Sequence, residues 1–160
     1  MSYSSESMLG AGKDNKPRVQ RIQYSTFFVS GRMYGIDVSR VQEVVKPMPM
    51  TKIPLAEGFV QGLINLRGQV VTAISLHDLF ELDAKSSTDL MNVICKADGF
   101  LVSLLVDEIG DVIELETRLS ESVPNTIHQS VRQYMTGVYK VGAELMSVID
   151  VDRIFKVLNG

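Results

Sequence analysis

The chain repeats itself. Phe59 to Phe80 lies over Tyr134 to Phe155 without a gap, with Gly62 on Gly137, Leu66 on Val141, Val70 on Leu145, Ile74 on Ile149, Leu76 on Val151, Leu79 on Ile154 and Phe80 on Phe155. Gly31 to Val45 likewise lies over Gly99 to Ile113, with Ile36 on Leu104, Val38 on Val106, Val41 on Ile109, Glu43 on Asp111 and Val44 on Val112. Apolar positions agree and polar ones do not, as in a duplicated fold whose surfaces have diverged. The two matches fall in the same order. The sequence therefore implies two copies of one unit, roughly 22–82 and 90–158. A unit of this size buries only about 60% of its unfolded surface. The single cysteine, Cys95, excludes an internal disulfide, and His77 and His128 stand in no metal-ligand spacing. With nothing to staple it, each copy is expected to lean on the other.

Residues 1–21 read as a flexible polar tail, rich in Ser and Gly. Beyond it the pattern is β-rich. Hairpins are expected from Ile22–Val29 and Met33–Ile36 about Gly31-Arg32, and from Leu63–Leu66 and Val70–Ile74 about Arg67-Gly68. Two more are expected, from Val93–Lys96 and Phe100–Val106 about Asp98-Gly99, and from Tyr134–Val141 and Leu145–Ile149. Val38, Val41, Val44 and Val45 follow a helical spacing, which predicts a short helix capped by Asp37 or Ser39 and ended by Lys46-Pro47. Further short helices are expected at Leu76–Phe80 and after Asp150, the latter with Val151, Ile154, Phe155 and Leu158 on one face. Residues 83–89 read as a polar loop. Leu101 to Val106 is apolar on both faces apart from Ser103, which suits a strand covered from two sides. The expectation is mainly β: two small barrels sharing a hydrophobic seam, with a groove between them suited to a partner.

Signals of chemistry are weak. The net charge is −3 with no Lys/Arg tract, which disfavours nucleic acid. Apolar runs such as Leu104-Leu105-Val106 fall far below the roughly 18 residues needed to span a bilayer. No apolar core opens the chain as a signal peptide would, so a cytosolic protein is expected. Asp107, Glu108, Asp111, Glu114 and Glu116 read as a solvated turn and strand face, Cys95 as a buried thiol and His77 as a surface histidine. Met48 and Met50 are candidate contact residues in a proline-rich connection. No catalytic, metal or cofactor site is expected. Two features stand out. Arg67 projects its planar five-donor head from a hairpin tip shaped by Gly68, as a contact for an acidic or amide partner would. On the segment Val41-Gln42-Glu43-Val44-Val45, the valines are expected to pack inward and Gln42 and Glu43 to face out.

Taken together, four segments resemble the CheW family of bacterial chemotaxis coupling proteins: Tyr34-Gly35-Ile36-Asp37-Val38, Val41-Gln42-Glu43-Val44, Gly62-Leu63-Ile64-Asn65-Leu66-Arg67-Gly68-Gln69-Val70-Val71, and Leu105-Val106-Asp107 with Asp111-Val112-Ile113. The resemblance covers about 22–158. It implies a mainly β fold of two tandem five-stranded β-barrel subdomains around a shared hydrophobic core, with a few short helices. It implies a non-enzymatic adaptor that binds the cytoplasmic tip of methyl-accepting chemoreceptors and the regulatory domain of the histidine kinase CheA, with further CheW-like copies in rings. Such a protein is cytoplasmic and joins membrane-bound arrays through its partners, without inserting into the membrane. The resemblance places Val38, Val41, Glu43, Gly62, Asn65, Arg67 and Ser103 on or under the coupling surface. The family often has Asp and Arg where this chain has Ser75 and His77, and a glycine where it has Ser103, near partner-facing surfaces. Two other readings stay open: a coupling protein of another pathway, such as twitching motility or surface sensing, and a double barrel that binds a small ligand.

Overall fold

The computed structural model describes residues 18–83 and 89–159. Most of the expected tail and the middle of the expected 83–89 loop lie outside them. Ten strands form: β1 (Arg21–Val29), β2 (Arg32–Asp37), β3 (Val41–Val45), β4 (Val60–Leu66), β5 (Gln69–Ser75), β6 (Met91–Ala97), β7 (Phe100–Val106), β8 (Glu108–Glu116), β9 (Met135–Val141) and β10 (Glu144–Ile149). Helices are short: α1 (Leu76–Leu79), α2 (Gln129–Arg132) and α3 (Val151–Asn159). Three hairpins turn on paired left-handed residues, Ser30-Gly31, Arg67-Gly68 and Asp98-Gly99, whose twist matches that of the flanking strands.

The strands form two five-stranded sheets, ordered β8-β1-β2-β10-β9 and β3-β6-β7-β5-β4. Moving each strand to its counterpart in the other copy converts one order into the other, so the sequence repeat is a pseudo-twofold in space. The sheets are not the sequence halves, however. Each takes a hairpin from one half and three strands from the other, joined by a parallel pairing, β2 with β10 and β5 with β7. The expected barrels at 22–82 and 90–158 are corrected accordingly. Neither sheet closes into a barrel: the end strands β8 and β9, and likewise β3 and β4, do not pair.

Three apolar clusters fill this frame. One is shared by both sheets and contains Phe27, Tyr34, Ile36, Phe80, Val102, Leu104, Val106 and Tyr134. Phe27, Tyr34, Phe80 and Tyr134 run through it as a chain of rings with centroids 5.9, 5.4 and 5.9 Å apart. Each sheet also covers a smaller core of its own, with Ile64, Val71 and Leu105 in one and Tyr24, Tyr139 and Met146 in the other. β7 therefore packs on both faces, as its apolar pattern requires. Cys95 is fully buried, and burial pushes its thiol up to about 12.

Two expectations fail locally. Only Val38–Arg40 is helical, a single 3-10 turn in which the Asp37 carboxylate accepts the Ser39 N–H at 2.9 Å. Val41–Val45 is a strand on β6. Its β-branched residues favour that state, and five residues satisfy helical and strand spacings alike. His77 is 3% exposed rather than on the surface, with Nε2 3.0 Å from Asp107 Oδ2.

α3 is held at its first turn. Asp150 Oδ1 accepts the Asp152 N–H at 2.9 Å, and Arg40 forks onto Asp152 at 2.6 and 2.9 Å. The Arg40 hydrogen bond, with Lys156 adding attraction, holds the Asp152 carboxyl below its ordinary 3.8. A carboxyl lowered on folding adds stability that is present above its unfolded value and lost as pH falls through the folded one. Wild type is therefore expected to exceed Asp152→Asn in unfolding free energy at neutral pH. The two should converge in acid, below about pH 4, in denaturant titrations at stepped pH.

Candidate functional site

The β4–β5 hairpin tip is rigid for local reasons. Asn65 Oδ1 accepts the Gly68 N–H at 2.7 Å, and Arg67 and Gly68 supply the two positive φ angles the turn needs. The Arg67 guanidinium, two-thirds exposed, reaches the Glu43 carboxylate on β3. β3 and β4 are the two ends of their sheet, so this ion pair spans its open mouth. A bulge between Val41 and Glu43 aims the two residues differently. Val41 packs on the shared core, while Glu43 stands opposite Ile94 of the sheet's own core.

The valines-in, Gln42-and-Glu43-out arrangement is corrected: Val44 is 37% exposed and Glu43 is half-buried. Val38 is half-buried in the 3-10 turn. Ser103 is not on a surface at all. It is fully buried on β7, and its hydroxyl donates to Asn92 Oδ1 at 2.8 Å. The structure thus brings Glu43, Asn65 and Arg67 together, sets Val38 and Val41 beside them on the chain, and removes Ser103 from the group.

Gly62 supports the site from below. The stretch before β4 bridges to it through Thr51 and Leu63, with paired backbone bonds of 2.9 and 2.8 Å. A Cβ at Gly62 would lie 2.8 Å from the Thr51 carbonyl oxygen and 3.2 Å from Met50 Cβ. Backbone cannot yield there as a side chain would. Gly62→Ala is expected to break this bridge at a cost of about 1–3 kcal/mol, read as a lower denaturation midpoint with faster amide exchange at Thr51 and Leu63.

A second surface lies outside the sequence expectations. Ile53, Leu55, Val60, Val70, Phe100, Leu101, Phe155 and Leu158, with Glu57, Gln69 and Thr72 among them, line an open cleft of about 510 Å³ between the β4–β5 and β6–β7 hairpins and α3. Val70 and Phe100 are 64% and 63% exposed, with the Phe100 ring stacked 5.7 Å from Phe155. Its sequence signal is an apolar residue in the first two positions of two strands, Val70 and Phe100, where solvated turns usually place polar ones. Among the described residues no His, Cys, Asp and Glu group is arranged for a metal ion, and no helix is long and apolar enough to cross a membrane. What the surface offers is recognition: a fixed cation–carboxylate pair beside exposed valine, and a cleft of mixed apolar and polar lining near it.

Comparison with known proteins gives one answer. Residues 23–159 match the model of the CheW-like domain. The chain is 29% identical to the chemotaxis protein CheW of Treponema pallidum over 141 residues, covering 85% of this chain and 83% of that protein. It is 30% identical to the chemotaxis protein CheW of Bacillus subtilis over 129 residues, covering 80% and 83%. Its fold is similar to that of the scaffolding protein TtCheW from Thermoanaerobacter tengcongensis, with a TM-score of 0.74 and 29% identity over 82% of this chain and 90% of that one.

Proposed function

This chain belongs to the CheW-like family and is a chemotaxis coupling adaptor, and from that premise we propose that it joins the cytoplasmic tips of chemoreceptors to the regulatory domain of the histidine kinase CheA. The observation that carries the reading is the Glu43–Arg67 pair. Two residues that the family resemblance marks for coupling, far apart in sequence, meet on one exposed surface. The receptor tip, a helical element, lays apolar positions on the valines of this surface and polar groups on Arg67. The kinase domain meets the other surface, the cleft beside α3. The protein does no chemistry of its own, lies in the cytoplasm and reaches the membrane only through these partners. Each contact is small, and linkage in an array raises their joint strength.

The test is titration calorimetry of the purified protein with a receptor signalling fragment and, separately, with the kinase regulatory domain. Binding of each is expected, with the second partner still binding after the first is saturated. Competition between the two for one site would overturn the two-surface reading.

A further inference from the structure

The pseudo-twofold sets two polar side-chain contacts at equivalent points. Beyond β10 the chain enters α3, whose second residue, Asp152, meets Arg40 at the end of the turn that carries the chain from one sheet to the other. Beyond β5 it enters α1, whose second residue, His77, meets Asp107, the single residue that carries the chain back between β7 and β8. In the repeat Asp152 lies over His77, and Arg40 lies over Glu108, the neighbour of Asp107. The two contacts are counterparts with the acidic residue on the opposite side. Each clasps a helix start to a crossing between sheets.

The two clasps lead to different strands. Asp107 leads into β8. It also accepts the Ser30 N–H at 2.8 Å, and its Oδ1 is buried without a partner among the described residues. Arg40 leads straight into β3, which carries Val41 and Glu43. Its fork holds Asp152, and its Nε donates to the Lys96 carbonyl at 3.1 Å on β6, the strand with which β3 pairs. A planar guanidinium with three donors engaged fixes a backbone segment better than a single ion pair does. α3 in turn presents Phe155 and Leu158 to the cleft.

We propose that Arg40 and Asp152 are positioning residues for coupling: they set where β3 begins, and so where Glu43 meets Arg67, and they tie that strand to the helix lining the cleft. This rests on the adaptor reading. The test uses the full chain with Arg40→Ala, the charge swap Arg40→Asp with Asp152→Arg, and His77→Gln on the counterpart clasp. Three quantities are measured: amide exchange of Val41–Val45 in the free protein, receptor-fragment affinity and thermal midpoint. Arg40→Ala is expected to speed exchange across β3 and weaken binding about three- to tenfold, and the swap, which rebuilds the ion pair but not the bond to the Lys96 carbonyl, is expected to restore both in part. His77→Gln is expected to lower the midpoint while β3 exchange and affinity stay at wild-type values. Wild-type exchange and affinity in Arg40→Ala would overturn the proposal, as would equal shifts of both in His77→Gln. If wild type binds no receptor fragment, the adaptor reading fails instead, and the exchange measurement still decides the role of Arg40.

Discussion

Replacing Arg67 by Glu is expected to weaken binding of a chemoreceptor tip fragment roughly ten- to a hundredfold, with little change in thermal midpoint. The side chain is two-thirds exposed and sits in a turn. The backbone of the turn is held by Asn65 and Gly68, neither of which the substitution touches. The electrostatics, by contrast, invert. In place of a cation–carboxylate pair across the sheet mouth, two carboxylates face each other, and any acidic or carbonyl group of the partner meets repulsion. Calorimetric titration beside a melting curve separates the two effects. Binding within about twofold of wild type would remove Arg67 from the coupling surface, and a collapse of the midpoint would make its role structural.

The largest effect on stability is expected from Phe80→Ala, about 3–5 kcal/mol. Phe80 is 1% exposed and is the middle ring between Tyr34 and Tyr134 in the shared core. That core belongs to neither sheet alone, so its loss is expected to weaken both together. Two reporters track them separately: tyrosine fluorescence, to which Tyr24 and Tyr139 of one sheet contribute, and reaction of the buried Cys95 thiol in the other. Coincident unfolding by both in urea is the expected result, at a lower midpoint in the variant. Separate transitions would mean that the sheets fold as independent units.

Much of the fold is legible locally. Asp98-Gly99 and Arg67-Gly68 announce their hairpins, and the repeat announces the pseudo-twofold. The exchange of strands between halves is not legible, because it depends on parallel pairings between distant segments, β2 with β10 and β5 with β7, for which no local pattern codes. The candidate site is legible in part. Arg67 and Asn65 declare themselves through turn chemistry. Glu43 is misplaced because Val41–Val45 fits two periodicities and a bulge then rotates its first residue. Ser103 and His77 are polar residues whose partners, Asn92 and Asp107, lie on other elements, so their burial cannot be read from neighbours in sequence. The cleft beside α3 arises where hairpin tips and the last helix converge, and only assembly reveals it.

The coupling role is tested most directly by kinase phosphorylation in a reconstituted mixture of receptor signalling fragment and full-length kinase, with and without this protein. Receptor-dependent kinase activity is expected only when the protein is present, and it should be lost with Arg67→Glu. Kinase activity that is the same with and without the protein, at concentrations of about tens of micromolar, would contradict the account.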